Sequence, residues 1–122
     1  MSLDFYLESP EKKKEFCPTC CNEYETSEEV YWRNITHNLN SMAGACFLYE
    51  PLWRPIENNW LIASDITSLL FSGLTLLKSD PERFKLLNPE NGWGKYETLV
   101  DFTETTLAAC KKFPNAKIRI SK

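Results

Sequence analysis

Apolar side chains alternate with polar ones at both ends of this chain and recur at helical spacing between them. That switch of period, from two to about 3.6 and back, confines the fold to strands bracketing a helical middle. At the start, Leu3, Phe5 and Leu7 share one side of a strand over Leu3-Asp4-Phe5-Tyr6-Leu7-Glu8, which Ser9-Pro10 closes. At the end, Ala116 to Ser121 alternates as Ala-Lys-Ile-Arg-Ile-Ser. Residues 8–28 read as a polar, cysteine-bearing loop, followed by a second strand over Glu29-Val30-Tyr31-Trp32-Arg33-Asn34-Ile35, rich in β-branched and aromatic residues. The first two strands are expected to be antiparallel neighbours.

Helix signals begin at Thr36. Leu39, Met42, Ala43, Cys46 and Phe47 fall on one helical face, and Pro51 and Pro55 make Tyr49 to Asn59 a loop. Ser64-Asp65 suits the cap of a second helix that buries Ile66, Leu69, Leu70, Gly73, Leu76 and Leu77. Gly73 on that face points to a close approach by another part of the chain. Asp80-Pro81 starts a short helix, and Asn88 to Gly94 is loop. A last helix carries Tyr96, Leu99, Val100, Thr103, Leu107 and Cys110 on one stripe until Pro114-Asn115 stops it. The expected fold is α+β: a small antiparallel sheet of about three strands, covered on one face by three to four helices. Its 122 residues fit a single domain spanning 1–122.

Seventeen acidic and fourteen basic residues give a formal charge of -3, distributed as -5 over residues 1–30 and +2 over the rest. A basic nucleic-acid clamp is thereby disfavoured, and no run approaches a membrane span. Four Trp, five Tyr and seven Phe argue against disorder. The start, Met1-Ser2-Leu3-Asp4, lacks the pattern of a secretion signal, so the expected compartment is the cytoplasm.

Cys17 and Cys20 have the Cys-x-x-Cys spacing with which two thiolates grip one zinc ion. Zinc is therefore the cofactor this segment admits, although no second pair completes a four-ligand site. Reduced, unmetallated cysteines are the alternative, and Cys46 and Cys110, in apolar stripes, read as small hydrophobes. An odd count of five argues against a disulfide framework.

Polar side chains crowd the junction Asn34-Ile35-Thr36-His37-Asn38-Leu39-Asn40. Asn34 or Thr36 can cap the helix that follows. The amides of a helix start also suit an anion, with His37 and Asn38 adding directional contacts to a base, ribose or carboxylate. Trp53 with Arg54, and Trp93 in Gly92-Trp93-Gly94-Lys95-Tyr96, can stack on a planar ligand or, equally, plug the core. The ligand-binding set read from the sequence is thus Asn34, Thr36, His37, Asn38, Trp53, Arg54 and Trp93. No catalytic residue is assigned. A hydrolase or transferase built on His37, oriented by Asp65 or Asp101, or on Cys20 or Cys21 as nucleophile, has no recognisable motif behind it.

Asp4-Phe5-Tyr6-Leu7, Asn34-Ile35-Thr36-His37-Asn38-Leu39 followed by Met42-Ala43, Leu52-Trp53-Arg54-Pro55, Gly92-Trp93-Gly94-x-Tyr96 and Ile118-x-Ile120-Ser121 resemble a family of small, mostly uncharacterised proteins of tailed bacteriophages, prophages and bacteria. The resemblance spans nearly the whole chain. It brings no activity or cofactor, but implies phage origin, host cytoplasm and an accessory task such as counter-defence. The expected function is a non-enzymatic binding protein with a polar pocket for a small anionic or nucleotide-like ligand. The alternative is a protein-interaction module docking a host or phage protein through a Cys17/Cys20 metal loop. A second copy of the chain is a further partner that these features permit; nucleic acid and membrane are not expected.

Overall fold

The computed structural model of the chain describes residues 2–16, 23–88 and 94–122, with the backbone alone at 10–16 and 23–28. Three strands, β1 (Ser2–Phe16), β2 (Glu23–Thr36) and β3 (Lys117–Ser121), form an antiparallel sheet in the order β2-β1-β3. Among the described residues between β2 and β3 lie a 3-10 turn (His37–Leu39) and five helices: α1 (Asn40–Ala45), α2 (Tyr49–Trp53), α3 (Ala63–Ser79), α4 (Pro81–Lys85) and α5 (Tyr96–Lys112). This is the small single-domain α+β fold that the two periodicities predict.

The central strand explains the layering. Leu3, Phe5 and Leu7 are fully buried, and Ile35 and Ile118 from the flanking strands join them on the same face. Phe5 meets Tyr31 and Phe102 edge-on, with centroids 6.4 and 6.5 Å away, so an aromatic cluster seats α5 on the sheet. Helix α3 packs in turn against α5. On the opposite face, Arg119 lies 3.8 Å above the Tyr6 ring and its Nε donates to Glu8 across 2.7 Å.

Four boundaries differ from the sequence reading. The stretch 8–28 was expected to be loop, yet β1 runs to Phe16 and β2 begins at Glu23, with Lys12↔Ser27 and Phe16↔Glu23 in register after irregularities near Glu8. The ladder is made by main chain, so its polar side chains carry no hydrophobic alternation that would announce it. The segment Tyr49–Trp53, expected as loop, makes a helical turn. Pro51 sits in that first turn, where a backbone N–H has no intrahelical acceptor to lose.

The third difference is Phe47, expected on a buried stripe but 77% exposed. Helix α1 ends at Ala45, and Leu48 N–H bonds back to the Ala43 carbonyl across 2.8 Å while Phe47 N–H bonds to that of Gly44 across 3.4 Å. This is a Schellman closure, which requires a left-handed residue at its apex. The apex is Phe47, at φ 64°, where glycine is the ordinary occupant. A left-handed L-residue costs about 1–2 kcal/mol, so the chain spends stability to aim this ring at solvent.

The cap expected at Ser64-Asp65 is shifted: α3 begins at Ala63 after Ile62, and Asp65 reaches back from its third position. Asp65 Oδ2 accepts from the amides of Leu61 and Ile62 at the start of α3. Asp80 caps α4, with Pro81 at its first position. Gly73 is buried where an added Cβ would fall 2.6 Å from Leu48 Cγ and 3.1 Å from the Cys46 carbonyl oxygen. The close approach is that of the α1–α2 turn against α3.

Candidate functional site

Of the described residues expected to line one polar pocket, Asn34 is turned to another face and the rest are tied into turns and core. Asn34 stands on the uncovered face of β2, directly across from Asp4, and its Nδ2 donates to Asp4 Oδ1 at 2.8 Å and Ser2 Oγ at 2.9 Å. Trp32 Nε1 adds a second donor to the same carboxylate oxygen across 3.3 Å. The Asn34 amide therefore serves strand pairing. Thr36 caps the 3-10 turn by accepting from the Asn38 amide at 3.3 Å, and the Asn38 side chain is exposed.

His37, Trp53 and Arg54 are brought together, but as a brace. Trp53 is 2% exposed, and its indole N–H donates to His37 Nδ1 across 3.0 Å. An indole nitrogen only donates, so His37 Nδ1 is the acceptor and its proton is carried on Nε2. Trp53 stacks on Tyr49 at 5.8 Å, and Arg54 Nε donates to the Tyr49 hydroxyl at 3.1 Å. Trp53 is thus a core residue rather than a lid over a ligand. The orienting carboxylates proposed for a catalytic His37 are engaged elsewhere: Asp65 caps α3, and Asp101 pairs with Arg33 at 2.7 Å. Trp93, Cys17 and Cys20, together with Cys21, lie outside the described residues.

Cys46 and Cys110 are free, buried thiols, as their helical stripes predict. Burial pushes Cys46 up to about 11 and Cys110 up to about 12, so neither offers a thiolate near neutrality. Among the described residues, no group of three or more His, Cys, Asp or Glu gathers as a metal site. Among them, too, no helix is long and apolar enough to cross a membrane.

The candidate site lies beside the brace. Gly44, Phe47, Tyr49, Glu50, Pro51, Trp60 and Leu69 line a cavity of about 410 Å³. Two left-handed turns build its walls: one turns at Phe47, and the other, Pro55 to Asn59, turns at Asn59 with φ 62° and returns the chain through Trp60 N–H to the Pro55 carbonyl at 2.9 Å. Asn tolerates that conformation, whereas Phe does not readily. Tyr49, held by Trp53 and Arg54, is the residue that joins brace to cavity. The one charged side chain among the described lining residues is Glu50, whose Oε2 accepts from Asn58 Nδ2 at 2.7 Å.

None of the seven lining residues belongs to the set expected from sequence. The signal that could have found them is Gly44 inside a helical stripe three residues before an aromatic, since glycine there leaves space and an ordinary core helix does not. Comparison with protein-family models, curated proteins and solved structures returned no match.

Proposed function

We propose that this chain is a non-enzymatic binding protein and that its ligand seat is the aromatic groove between the α1–α2 turn, Trp60 and Leu69. The observation that carries this reading is Phe47: a bulky residue in a left-handed conformation, lining a cavity with its ring largely exposed. Backbone strain of this kind gathers where function needs a side chain aimed in one direction. A cavity of about 410 Å³ also falls in the range used for small molecules, and its wall is mainly apolar. The expected nucleotide-like anion finds little to recognise it here, because the described residues of the lining contribute a carboxylate and no cation. Occupied Nδ1 on His37 and protonated Cys46 and Cys110 likewise favour binding over turnover. In the phage setting that the sequence resemblance implies, such a protein acts by sequestering a small ligand.

The test is a groove-filling substitution. A Cβ at Gly44 meets nothing within 4 Å, so Gly44→Leu adds bulk to the cavity without disturbing the core. Amide spectra recorded with a panel of neutral, cationic and anionic fragments should move at Gly44, Phe47, Tyr49 and Trp60 in the parent protein. Those shifts should vanish in the folded Gly44→Leu variant. Shifts confined to Thr36–Asn38, or unaltered by Gly44→Leu, would place the seat elsewhere.

A further inference from the structure

The groove has a chemical preference. Among the described residues of its lining, Phe47, Tyr49 and Trp60 are aromatic, and the one charge is the Glu50 carboxylate. Ring faces carry partial negative charge and attract cations that shed water easily, quaternary ammonium groups above all. A carboxylate at the rim adds attraction of the same sign. Glu50 is available for it, because its hydrogen-bond partner is the neutral amide of Asn58. Arg54 lies outside the lining, with its guanidinium 5.9 Å from the Tyr49 ring centroid and its charge within electrostatic reach of Glu50 and Glu57, so Tyr49 already has a cation of the chain beside it, whereas Phe47 and Trp60 have none among the described residues.

We infer that the groove binds a small organic cation, a quaternary ammonium head on a short alkyl stem, with Phe47 and Trp60 against the head and Glu50 as counter-charge. This rests on the groove being the ligand seat. The apolar remainder, Pro51 and Leu69, accommodates the stem, and the volume exceeds what a head group alone would fill. A small molecule fits better than a protein segment, because the recognition elements are confined to one cavity.

Choline and its uncharged carbon isostere, 3,3-dimethylbutanol, differ in the charge of one atom and so separate the two levels of the argument. Titrated against the full chain by calorimetry and amide spectra, choline should bind about five- to tenfold more tightly than the isostere. Glu50→Gln should weaken choline about threefold and leave the isostere unchanged. Phe47→Gly should weaken choline while raising the melting temperature by about 4 °C, since it relieves the left-handed strain. A Phe47→Gly protein that is destabilised and still binds choline would remove the strain argument.

Equal binding of choline and the isostere at the groove would overturn the cation assignment while leaving the groove as the seat. Failure of both probes, with the fragment panel also silent at Phe47 and Trp60, would overturn the seat itself. A trimethyl-lysine peptide binding far more tightly than choline would overturn the small-molecule occupant in favour of a modified protein.

Discussion

Trp53 Nε1 donates to His37 Nδ1 across 3.0 Å, and this bond links the 3-10 turn after β2 to the short helix α2. It settles the tautomer of the protein's one imidazole and consumes the one polar atom of a buried indole. Because Trp53 also stacks on Tyr49, the bond sets the position of a ring that lines the groove. The most conspicuous polar residue of the sequence thus works through another side chain, one step behind the wall of the groove.

Removing the acceptor should therefore cost stability. His37→Ala leaves the indole N–H of Trp53 without its partner, and the expected loss is about 1–2 kcal/mol in urea titrations. Trp53→Phe removes the donor but also buried volume. The double variant should then lose less than the two single losses combined, because the stranded N–H is no longer present. Strict additivity would mean that the 3.0 Å contact contributes nothing.

Gly73→Ala offers a second check, since propensity and packing oppose one another there. Alanine in mid-helix gains about 1 kcal/mol over glycine. The new methyl would press on buried Leu48 and lie 3.1 Å from the Cys46 carbonyl, which the turn cannot easily move. Overpacking of this kind costs about 1–3 kcal/mol, so the variant should be neutral to destabilised by about 2 kcal/mol net. A clear stabilisation in denaturant titration would show that the α1–α2 turn yields freely.

Which features could be read from sequence follows from how local their causes are. Leu3, Phe5 and Leu7 announce β1 because alternation is a property of neighbours, and Asp80-Pro81 announces α4 because the cap and first turn are adjacent. Gly73 was legible as a place of close approach, though its partner, the turn at Cys46–Leu48, was not. The left-handed Phe47 was illegible for a physical reason: its sequence is that of a buried stripe, and only the hydrogen bonds closing α1 turn it outward. Asn34 was misplaced because its partner, Asp4, is thirty residues away and is met only through strand register. A groove assembled from two turns and α3 likewise has no contiguous signature.

Alkaline pH should destabilise the fold through its buried thiols. Cys46 and Cys110 ionise near 9 when solvated but are pushed to about 11 and about 12 by burial. Their stabilising contribution is whole below about pH 9. It is lost as pH rises from there through the folded values, because the unfolded chain sheds protons that the native one keeps. Burial raises Tyr31 as well, which adds the same sign at higher pH. Urea midpoints should fall steadily from pH 9 to pH 11, and Cys46→Ala should shallow the fall. At neutral pH, iodoacetamide followed by peptide mapping should leave Cys46 and Cys110 unlabelled until denaturant is added; ready labelling in the native protein would contradict their burial.

The tie between sheet and helix can be weighed by comparing two neighbouring contacts. Tyr31 and Thr106 share a hydrogen bond of 2.7 Å, with Thr106 fully buried on α5, whereas Arg33 and Asp101 make a 2.7 Å ion pair whose carboxylate is well exposed. Solvent screens the second pair, so Asp101→Asn should cost at most about 1 kcal/mol. Tyr31→Phe strands a buried hydroxyl and should cost about 1–2 kcal/mol. Thr106→Val added to Tyr31→Phe removes the stranded group while keeping its shape, and part of the loss should return. If Asp101→Asn proves the more damaging change in urea titrations, the sheet is held to α5 by charge at its rim rather than by the buried hydroxyl pair and the aromatic cluster of Phe5, Tyr31 and Phe102.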